Sequence, residues 1–292
     1  MATSPSLTPN EPQTANDYDE RTTEAVKSVL VEVGQILGAY KGKFAIVGGS
    51  VPWLLIKSGD MSHVGTMDLD IALHAEALGD GEYASLIESL FKHGYTQGRE
   101  GKKFQLRRSV YIAGGGGEIE VVIDFLMPRD AEIVRNFPPM IDNFAVQRAD
   151  GADLALEFSE LLAIQGVMPN GAVNKVEIAV CSIPALLAMK GHALAGRYKQ
   201  KDAYDIYYCV RGYEGGIDEL AKACMPVLQM KSGAAGFAHI NDKFSELLAH
   251  GPVCVRDFVR ESRILGDRSE EQWQQDAFGQ VDALMRALGL RS

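Results

Sequence analysis

Apolar residues recur along the first half of the chain with two periods, one helical and one typical of strands. From Thr23 to about Ala39 they return every three or four positions, which predicts an amphipathic helix. Short apolar runs predict strands in "KFAIV", "MDLDIAL", "KFQLRRSVYIA" and "EIEVVIDFLMP". Helices are predicted in "VPWLLIKSG", ended by Gly59, and from Gly81 to His93. This order is typical of an α/β (α+β) fold, a mixed sheet with flanking helices.

The periodicity becomes helical near residue 180. Two β-rich runs, "LALEFSELLAI" and "VNKVEIAVCSI", flank a Pro-Asn-Gly turn, and nearly everything after Pro184 is typical of helix. Helices are predicted at about 185–195, 199–211, 217–230, 235–249, 253–263 and 269–288. The first 20 residues are rich in Pro, Ser, Thr and Asn. We therefore expect a disordered tail at 1–20, a sheet domain at 21–180 and a helical C-terminal domain at 181–292.

Composition and charge narrow the functional classes. With 292 residues, 46% of them hydrophobic, the chain can bury a large core. The net charge of -10 argues against non-specific coating of nucleic acid, which needs surplus Lys and Arg, but it allows a local basic groove. The four scattered cysteines predict reduced core thiols rather than a metal site or disulfides. Neither a secretion signal nor an apolar run of about 20 residues is found, so we predict a cytoplasmic protein without a membrane partner.

Two aspartates lie two positions apart inside the run "MDLDIAL". Side chains at i and i+2 of a strand share a face, so Asp68 and Asp70 project together while Leu69 faces the core. Carboxylates this close repel each other, and divalent cations such as Mg²⁺ relieve that repulsion. Asp124, deep in a later apolar run, is either a third metal ligand or general base, or an acid held by a core hydrogen bond. A site of this kind holds two Mg²⁺ ions that activate an attacking oxygen and stabilise the leaving one.

The "GGS" segment ends the first predicted strand. Gly48 and Gly49 would let a phosphate approach bare backbone amides, and Ser50 is the expected N-cap of the next helix. Alone, this segment is more typical of an ordinary turn. Its position before the Asp68–Asp70 pair and Asp124 favours phosphate binding.

The order "GGS", "DLD" and "VVIDF" over residues 40–128 resembles the nucleotidyltransferase superfamily to which DNA polymerase β belongs. The resemblance implies a nucleoside triphosphate substrate, two Mg²⁺ ions and three carboxylates. By that resemblance the Gly48–Ser50 turn holds the triphosphate, and Asp68 and Asp70 bind metal. Asp124 binds metal and helps to deprotonate the attacking group.

A second motif lies in "IPALLAMKGHALAGRYKQKDAYDIYYCV", residues 183–210. It resembles the K-x-x-A-L-x-x-R and K-D-x-x-D motifs of the AbiEii/AbiGii toxins, nucleotidyltransferases of toxin–antitoxin and abortive-infection systems. The resemblance implies that Lys190 neutralises triphosphate charge, while Asp205, together with Asp202, orients that lysine or the nucleotide. A salt-bridged helical hairpin explains the same residues without a nucleotide. Residues 211–292 carry no motif.

Three further groups of residues have two interpretations each. Where many relatives have an arginine before the first metal aspartate, this chain has Val64, and the adjacent His63 is a substitute or, more typically, a solvated loop residue. A basic cluster either guides RNA or protects a strand edge. A set of tyrosines either stacks bases or packs half-buried. The basic cluster is Lys102, Lys103, Arg107 and Arg108, and the tyrosines are Tyr204, Tyr207, Tyr208 and Tyr213.

These observations favour a Mg²⁺-dependent nucleotidyltransferase that moves a nucleoside monophosphate to an acceptor hydroxyl. The toxin resemblance favours RNA, with tRNA as a specific case, and implies an antitoxin partner. Two alternatives are a small-molecule acceptor of the aminoglycoside type and a non-catalytic nucleotide-binding regulator. The presence of all three carboxylates, Asp68, Asp70 and Asp124, disfavours the regulator.

Overall fold

The computed structural model describes residues 20–40, 42–57, 63–74, 82–97, 105–111, 117–131 and 146–292. Predictions for residues 1–19, Gly59, Lys102 and Lys103 fall outside these ranges.

Within these ranges eight strands form one mixed sheet in the order β3-β4-β5-β2-β1-β8-β7, with β6 paired to β5. β2 is parallel to β5, β1 to β8 and β5 to β6, and the other pairs are antiparallel. The predicted mixed-sheet fold is confirmed. The strands are β1 (Phe44–Val47), β2 (Asp68–Leu73), β3 (Thr96–Gln97), β4 (Gln105–Tyr111), β5 (Glu118–Pro128), β6 (Gln147–Ala149), β7 (Ser159–Val167) and β8 (Val173–Cys181).

Helices flank the sheet and make up the rest of the chain after β8. They are α1 (Glu20–Leu37), α2 (Ser50–Leu55), α3 (Glu82–Lys92), α4 (Ala152–Glu157), α5 (Ile183–Gly196), α6 (Gln200–Gly212), α7 (Gly216–Leu228), α8 (Lys231–Lys243), α9 (His250–Glu261) and α10 (Glu270–Ala287). The amphipathic α1 buries its predicted apolar face, including Val26, Val29 and Val33. The helical C-terminal half is confirmed.

The last strand and the first C-terminal helix meet where the sequence predicts a change of structure. Ser182 caps α5, with its hydroxyl accepting a hydrogen bond from Ala185 N at 3.5 Å, and Pro184 occupies the first turn. One apolar core nevertheless continues from α1 and the sheet into α10. The division into a sheet domain and a helical domain therefore stays a prediction.

Element boundaries differ from the sequence prediction at several helices, among them α2, which ends at Leu55, and α9, which begins at His250. α8 was expected from residue 235, but it begins at Lys231 and includes two glycines. A Cβ on Gly233 would lie 1.9 Å from Val227 O, and one on Gly236 would lie 2.3 Å from Ala188 O, so close packing requires glycine there. The run "LALEFSELLAI" begins as helix α4, and its strand starts only at Ser159.

The structure also tests the predictions about cysteines and membrane-spanning helices. All four cysteines are buried, free thiols, in agreement with their expected place in the core. Among the described residues, no helix combines the length and apolarity that crossing a membrane requires.

Candidate functional site

Three carboxylates lie on one face of the two central parallel strands. Asp70 on β2 is directly opposite Asp124 on β5, and Asp68 precedes Asp70 on the same face. All three are half-buried, whereas Leu69 and Ile123 on the other face are fully buried. The alternation predicted from the sequence therefore brings these acids together.

The two acids of β2 differ in their electrostatic surroundings. Burial, and then the carboxylates of Asp68 and Asp124, raise the pKa of Asp70 well above its usual range. Burial would also raise the pKa of Asp68, but the charges of Lys199, Lys201 and Lys190 and a hydrogen bond from Thr66 hold it below its ordinary value. The Thr66 hydroxyl donates to Asp68 Oδ1 at 2.7 Å. Repulsion is therefore concentrated on Asp70.

The turn after β1 is shaped by its two glycines. Gly48 has φ +73°, and a Cβ there would lie 1.8 Å from Asp70 Oδ2. A Cβ on Gly49 would lie 2.9 Å from Thr66 Oγ1 and 3.2 Å from Lys201 Nζ. The glycines thus make room for the acid and the lysine, a role that the sequence did not reveal.

Ser50 does not cap α2 as predicted. The N-cap residue is Gly49, and the fully buried Ser50 is the first residue of the helix. Its hydroxyl donates to Val47 O at 3.2 Å, back toward the end of β1. That prediction was wrong because the helix begins one residue earlier than expected, so Ser50 lies inside its first turn.

A network of buried ion pairs joins α5 to α6. Lys190 Nζ lies 2.8 Å from Asp202 Oδ1 and 2.7 Å from Asp205 Oδ2. Lys201 Nζ lies 3.0 Å from Asp205 Oδ1, and Arg197 Nε lies 2.8 Å from Asp202 Oδ2. Both carboxylates are fully buried. The residues of the second motif are thus brought together, in the arrangement expected of a salt-bridged hairpin.

Each carboxylate of this network is stabilised as an anion. Burial would raise the pKa of Asp202, but Lys190 and Arg197 bring it to about 2. Against the same effect of burial, Lys190 and Lys201 hold the pKa of Asp205 well below its ordinary value. Burial lowers the pKa of Lys201 despite its contact with Asp205, and the charge of Lys190 lowers it further.

His63 belongs to this network and is not a solvated loop residue. Its side chain is 2% exposed, and Nε2 lies 3.1 Å from Asp205 Oδ1. Nδ1 accepts a hydrogen bond from Gly65 N at 3.1 Å, so the neutral ring carries its proton on Nε2 and donates it to Asp205. Burial lowers the pKa of His63, which favours this neutral form. The more typical interpretation was wrong because Asp205 lies 142 positions along the chain and meets His63 only in the fold.

The remaining polar clusters are mostly structural. Arg107 pairs with Glu120 at 2.7 Å, while Arg108 on the other face of β4 pairs with Glu32 of α1 at 3.1 Å. These two arginines therefore do not form one RNA-guiding patch. Tyr204, Tyr207 and Tyr208 are at most 2% exposed, which confirms packing, and Tyr213 is half-buried.

The three carboxylates are suitable ligands for Mg²⁺, but their side chains do not yet converge on one point. Carboxylate oxygens are the donors that Mg²⁺ prefers, and a divalent cation would relieve the repulsion at Asp70. In the described part of the chain, however, no three Asp, Glu, His or Cys side chains converge as a ready metal site. The side chains of Asp68, Asp70 and Asp124 would have to turn toward a common point on binding.

Comparison with known families decides how this site is classified. A model described as "Nucleotidyl transferase AbiEii toxin, Type IV TA system" matches residues 38–286, most of the chain. The chain belongs to the AbiEii family. It is therefore a member of a nucleotidyltransferase family of toxin–antitoxin toxins, as its motifs predicted.

The AbiEii match covers both motif regions and also α7, α8, α9 and nearly all of α10, where no motif was found in the sequence. The crystal structure of JHP933 from Helicobacter pylori is similar over 93% of this chain and 95% of its own, with 11% identity and a TM-score of 0.46. Among curated proteins, none matches this sequence.

Proposed function

We propose that this AbiEii-family protein is a Mg²⁺-dependent nucleotidyltransferase that moves a nucleoside monophosphate from a nucleoside triphosphate to a hydroxyl of RNA, with tRNA as a specific case. The observation that carries the proposal is the cluster of Asp68, Asp70 and Asp124 on adjacent strands. Burial and two neighbouring carboxylates raise the pKa of Asp70, which marks a site that favours a cation.

The three acids have distinct roles in this proposal. Asp68, Asp70 and Asp124 would hold two Mg²⁺ ions, which supply charge stabilisation at the reacting phosphate and the leaving pyrophosphate. Asp124 accepts the proton of the acceptor hydroxyl. The acceptor oxygen bonds to the α-phosphorus, the bond from that phosphorus to the bridging oxygen breaks, and pyrophosphate leaves.

The nucleotide would lie between the glycine turn and the ion-pair network. Gly48, Gly49 and the start of α2 at Ser50 are assigned to the triphosphate, because glycines carry no side chain of their own to shield the backbone amides and Lys201 lies beside Gly49. Lys190 is assigned to neutralising triphosphate charge, and Asp202 and Asp205 to orienting it. In this network three basic side chains share two carboxylates, so a net positive charge faces the acids.

The biological role follows from the family. As the toxin of a toxin–antitoxin system, the protein would stop growth by modifying RNA, and an antitoxin would oppose it. Expression of the parent chain alone should then arrest bacterial growth, whereas expression of Asp68→Asn should not.

The direct test is transfer of label. The purified protein is incubated with Mg²⁺, each of the four α-labelled triphosphates and total bacterial RNA, beside Asp68→Asn and the control Asp218→Asn. Asp218 is an exposed acid in the first turn of α7 and undergoes the same chemical change. We expect labelled RNA with the parent and Asp218→Asn only. Labelling that survives Asp68→Asn, or no labelling with any triphosphate, would refute the proposal.

A further inference from the structure

An exposed aromatic residue lies beside the candidate site, on the α5–α6 connection, residues 197–199. Tyr198 is 71% exposed, whereas Tyr204, Tyr207 and Tyr208 on the following helix are buried. A large aromatic ring left in solvent beside a functional site is a common feature of surfaces that bind nucleobases.

The ring of Tyr198 is held in place from one side. It lies 5.3 Å from the ring of His250 at the start of α9, with 59° between the ring planes. His250 is itself held from the side of α9, because its Nε2 lies 3.5 Å from Cys254 Sγ. An anchored and exposed ring loses little conformational entropy when a base stacks on it.

The preceding residue connects Tyr198 to the ion-pair network. Arg197 bonds Asp202 while 54% of its side chain stays exposed. Lys199 follows Tyr198 directly, so a cationic residue flanks it on each side along the chain. Because Tyr198 is the residue after Arg197, and adjacent Cα atoms are about 3.8 Å apart, it lies at the exposed edge of the ion-pair network.

We propose that Tyr198, supported by His250, stacks the nucleobase at the 3′ end of a single-stranded RNA acceptor. The inference rests on the proposed function, and it identifies the part of the site that would bind the acceptor RNA. The exposed position suits a chain that arrives from solvent, since the triphosphate would lie deeper, against Gly48 and Gly49. With a net charge of -10, the protein cannot hold RNA by general phosphate attraction and needs a local contact of this kind.

The experiment measures RNA binding without turnover. Fluorescence anisotropy of a short single-stranded RNA, labelled at its 5′ end, is recorded with EDTA and no triphosphate. Variants are Tyr198→Ala, Tyr198→Phe and, as a matched control, Tyr111→Ala, since Tyr111 at the end of β4 is 69% exposed. We expect Tyr198→Ala to weaken binding roughly 10- to 100-fold, and Tyr198→Phe and Tyr111→Ala to bind like the parent.

Kinetics then separate the acceptor from the nucleotide. Tyr198→Ala should raise KM for RNA while kcat and KM for the triphosphate stay unchanged. RNA affinity that is insensitive to Tyr198→Ala would overturn the inference, as would a loss confined to triphosphate binding. Equal losses of RNA affinity and of Tm in Tyr198→Ala and Tyr198→Phe would also overturn it, by showing that Tyr198 acts through the stability of the fold and not by stacking.

The two proposals can fail separately. Labelling that depends on Asp68 together with RNA binding that ignores Tyr198 refutes only the stacking site. Absence of labelling with every triphosphate refutes the transfer reaction, whatever the anisotropy shows.

Discussion

This protein has two groups of aspartates, one on strands β2 and β5 and one on helix α6, and they differ in what surrounds each carboxylate. On the sheet, Asp70 lies opposite Asp124 with Asp68 beside it, so each carboxylate has other carboxylates as neighbours. On the helices, Asp202 and Asp205 each contact two or more basic or imidazole groups. The first group repels itself, and the second group is neutralised within the protein.

The pKa shifts of the two groups run in opposite directions. The pKa of Asp70 is raised by burial and by its acidic neighbours, so its charge opposes folding near neutral pH. Against the effect of burial, Lys190 and Arg197 lower the pKa of Asp202, and Lys190 and Lys201 lower that of Asp205, so the charges of both acids favour folding. The comparison teaches that the same residue type can lie in an electrostatically unfavourable site in one part of a fold and in a fully paired site in another.

The largest effect is expected from neutralising the sheet acid. Asp70→Asn should lower nucleotidyl transfer by about 10³-fold, because it removes a group assigned to Mg²⁺ that is worth several kcal/mol. The same change should leave Tm unchanged or raise it in metal-free buffer, since it relieves repulsion from Asp68 and Asp124. Labelling kinetics and thermal unfolding measure the two effects.

Asp218→Asn serves as the control for this prediction and should change neither quantity. If Asp70→Asn transferred nucleotide like the parent but unfolded at a lower temperature, the contrast between the two groups would be wrong. Asp70 would then be a structural acid like Asp205.

The helical group should show the reverse behaviour. Asp205→Asn removes the shared partner of Lys190, Lys201 and His63, and we expect the free energy of unfolding to fall by about 3–5 kcal/mol. Urea denaturation measures the change. Glu219→Gln, which breaks the exposed Lys222–Glu219 pair, is the control and should have no measurable effect. A loss for Asp205→Asn as small as that for Glu219→Gln would contradict the assignment.

Much of the sheet site could be predicted from the sequence because it depends on local periodicity. The two-residue repeat in "MDLDIAL" places Asp68 and Asp70 on one face, and the apolar neighbours of Asp124 place it in a central strand. The pairing of Asp70 with Asp124 then follows from the position of β2 next to β5, which the motif order indicated.

The rest of the site depends on contacts between distant segments. His63 meets Asp205, and Lys201 approaches the glycine turn, only after α6 packs near the end of β1. Nothing in the local pattern around His63 distinguishes a buried donor from a solvated residue. The same limit applies to Gly233 and Gly236. Glycine has a low helix propensity, so the sequence did not predict that α8 starts before them. They are required there by close packing against other segments, which the local sequence does not reveal.

The glycine turn offers a smaller test of how closely the sheet acid is placed. Gly48→Ala should lower transfer about 10²-fold, because the new Cβ would lie 1.8 Å from Asp70 Oδ2 and must displace that carboxylate. Gly42→Ala is the matched control: Gly42 has φ +77° with no atom within 4 Å of a Cβ. It carries the same backbone strain, about 1–2 kcal/mol, without the collision. Equal activity of the two variants would show that the position of Asp70 does not matter.

The smallest effect, and the sharpest comparison, is the pH dependence of stability. Asp202 has a folded-state pKa of about 2, below its unfolded value, so its charge stabilises the fold above about pH 5. Asp202→Asn should therefore be roughly 2 kcal/mol less stable than the parent at neutral pH, and this deficit should vanish as the pH falls toward 2. Asp70→Asn should behave oppositely in metal-free buffer, gaining stability over the parent as the pH rises, because the folded-state pKa of Asp70 is raised. Urea denaturation across this pH range measures both differences in stability. If the two differences changed with pH in the same direction, the distinction between an acid repelled by its neighbours and an acid paired with basic groups would be wrong.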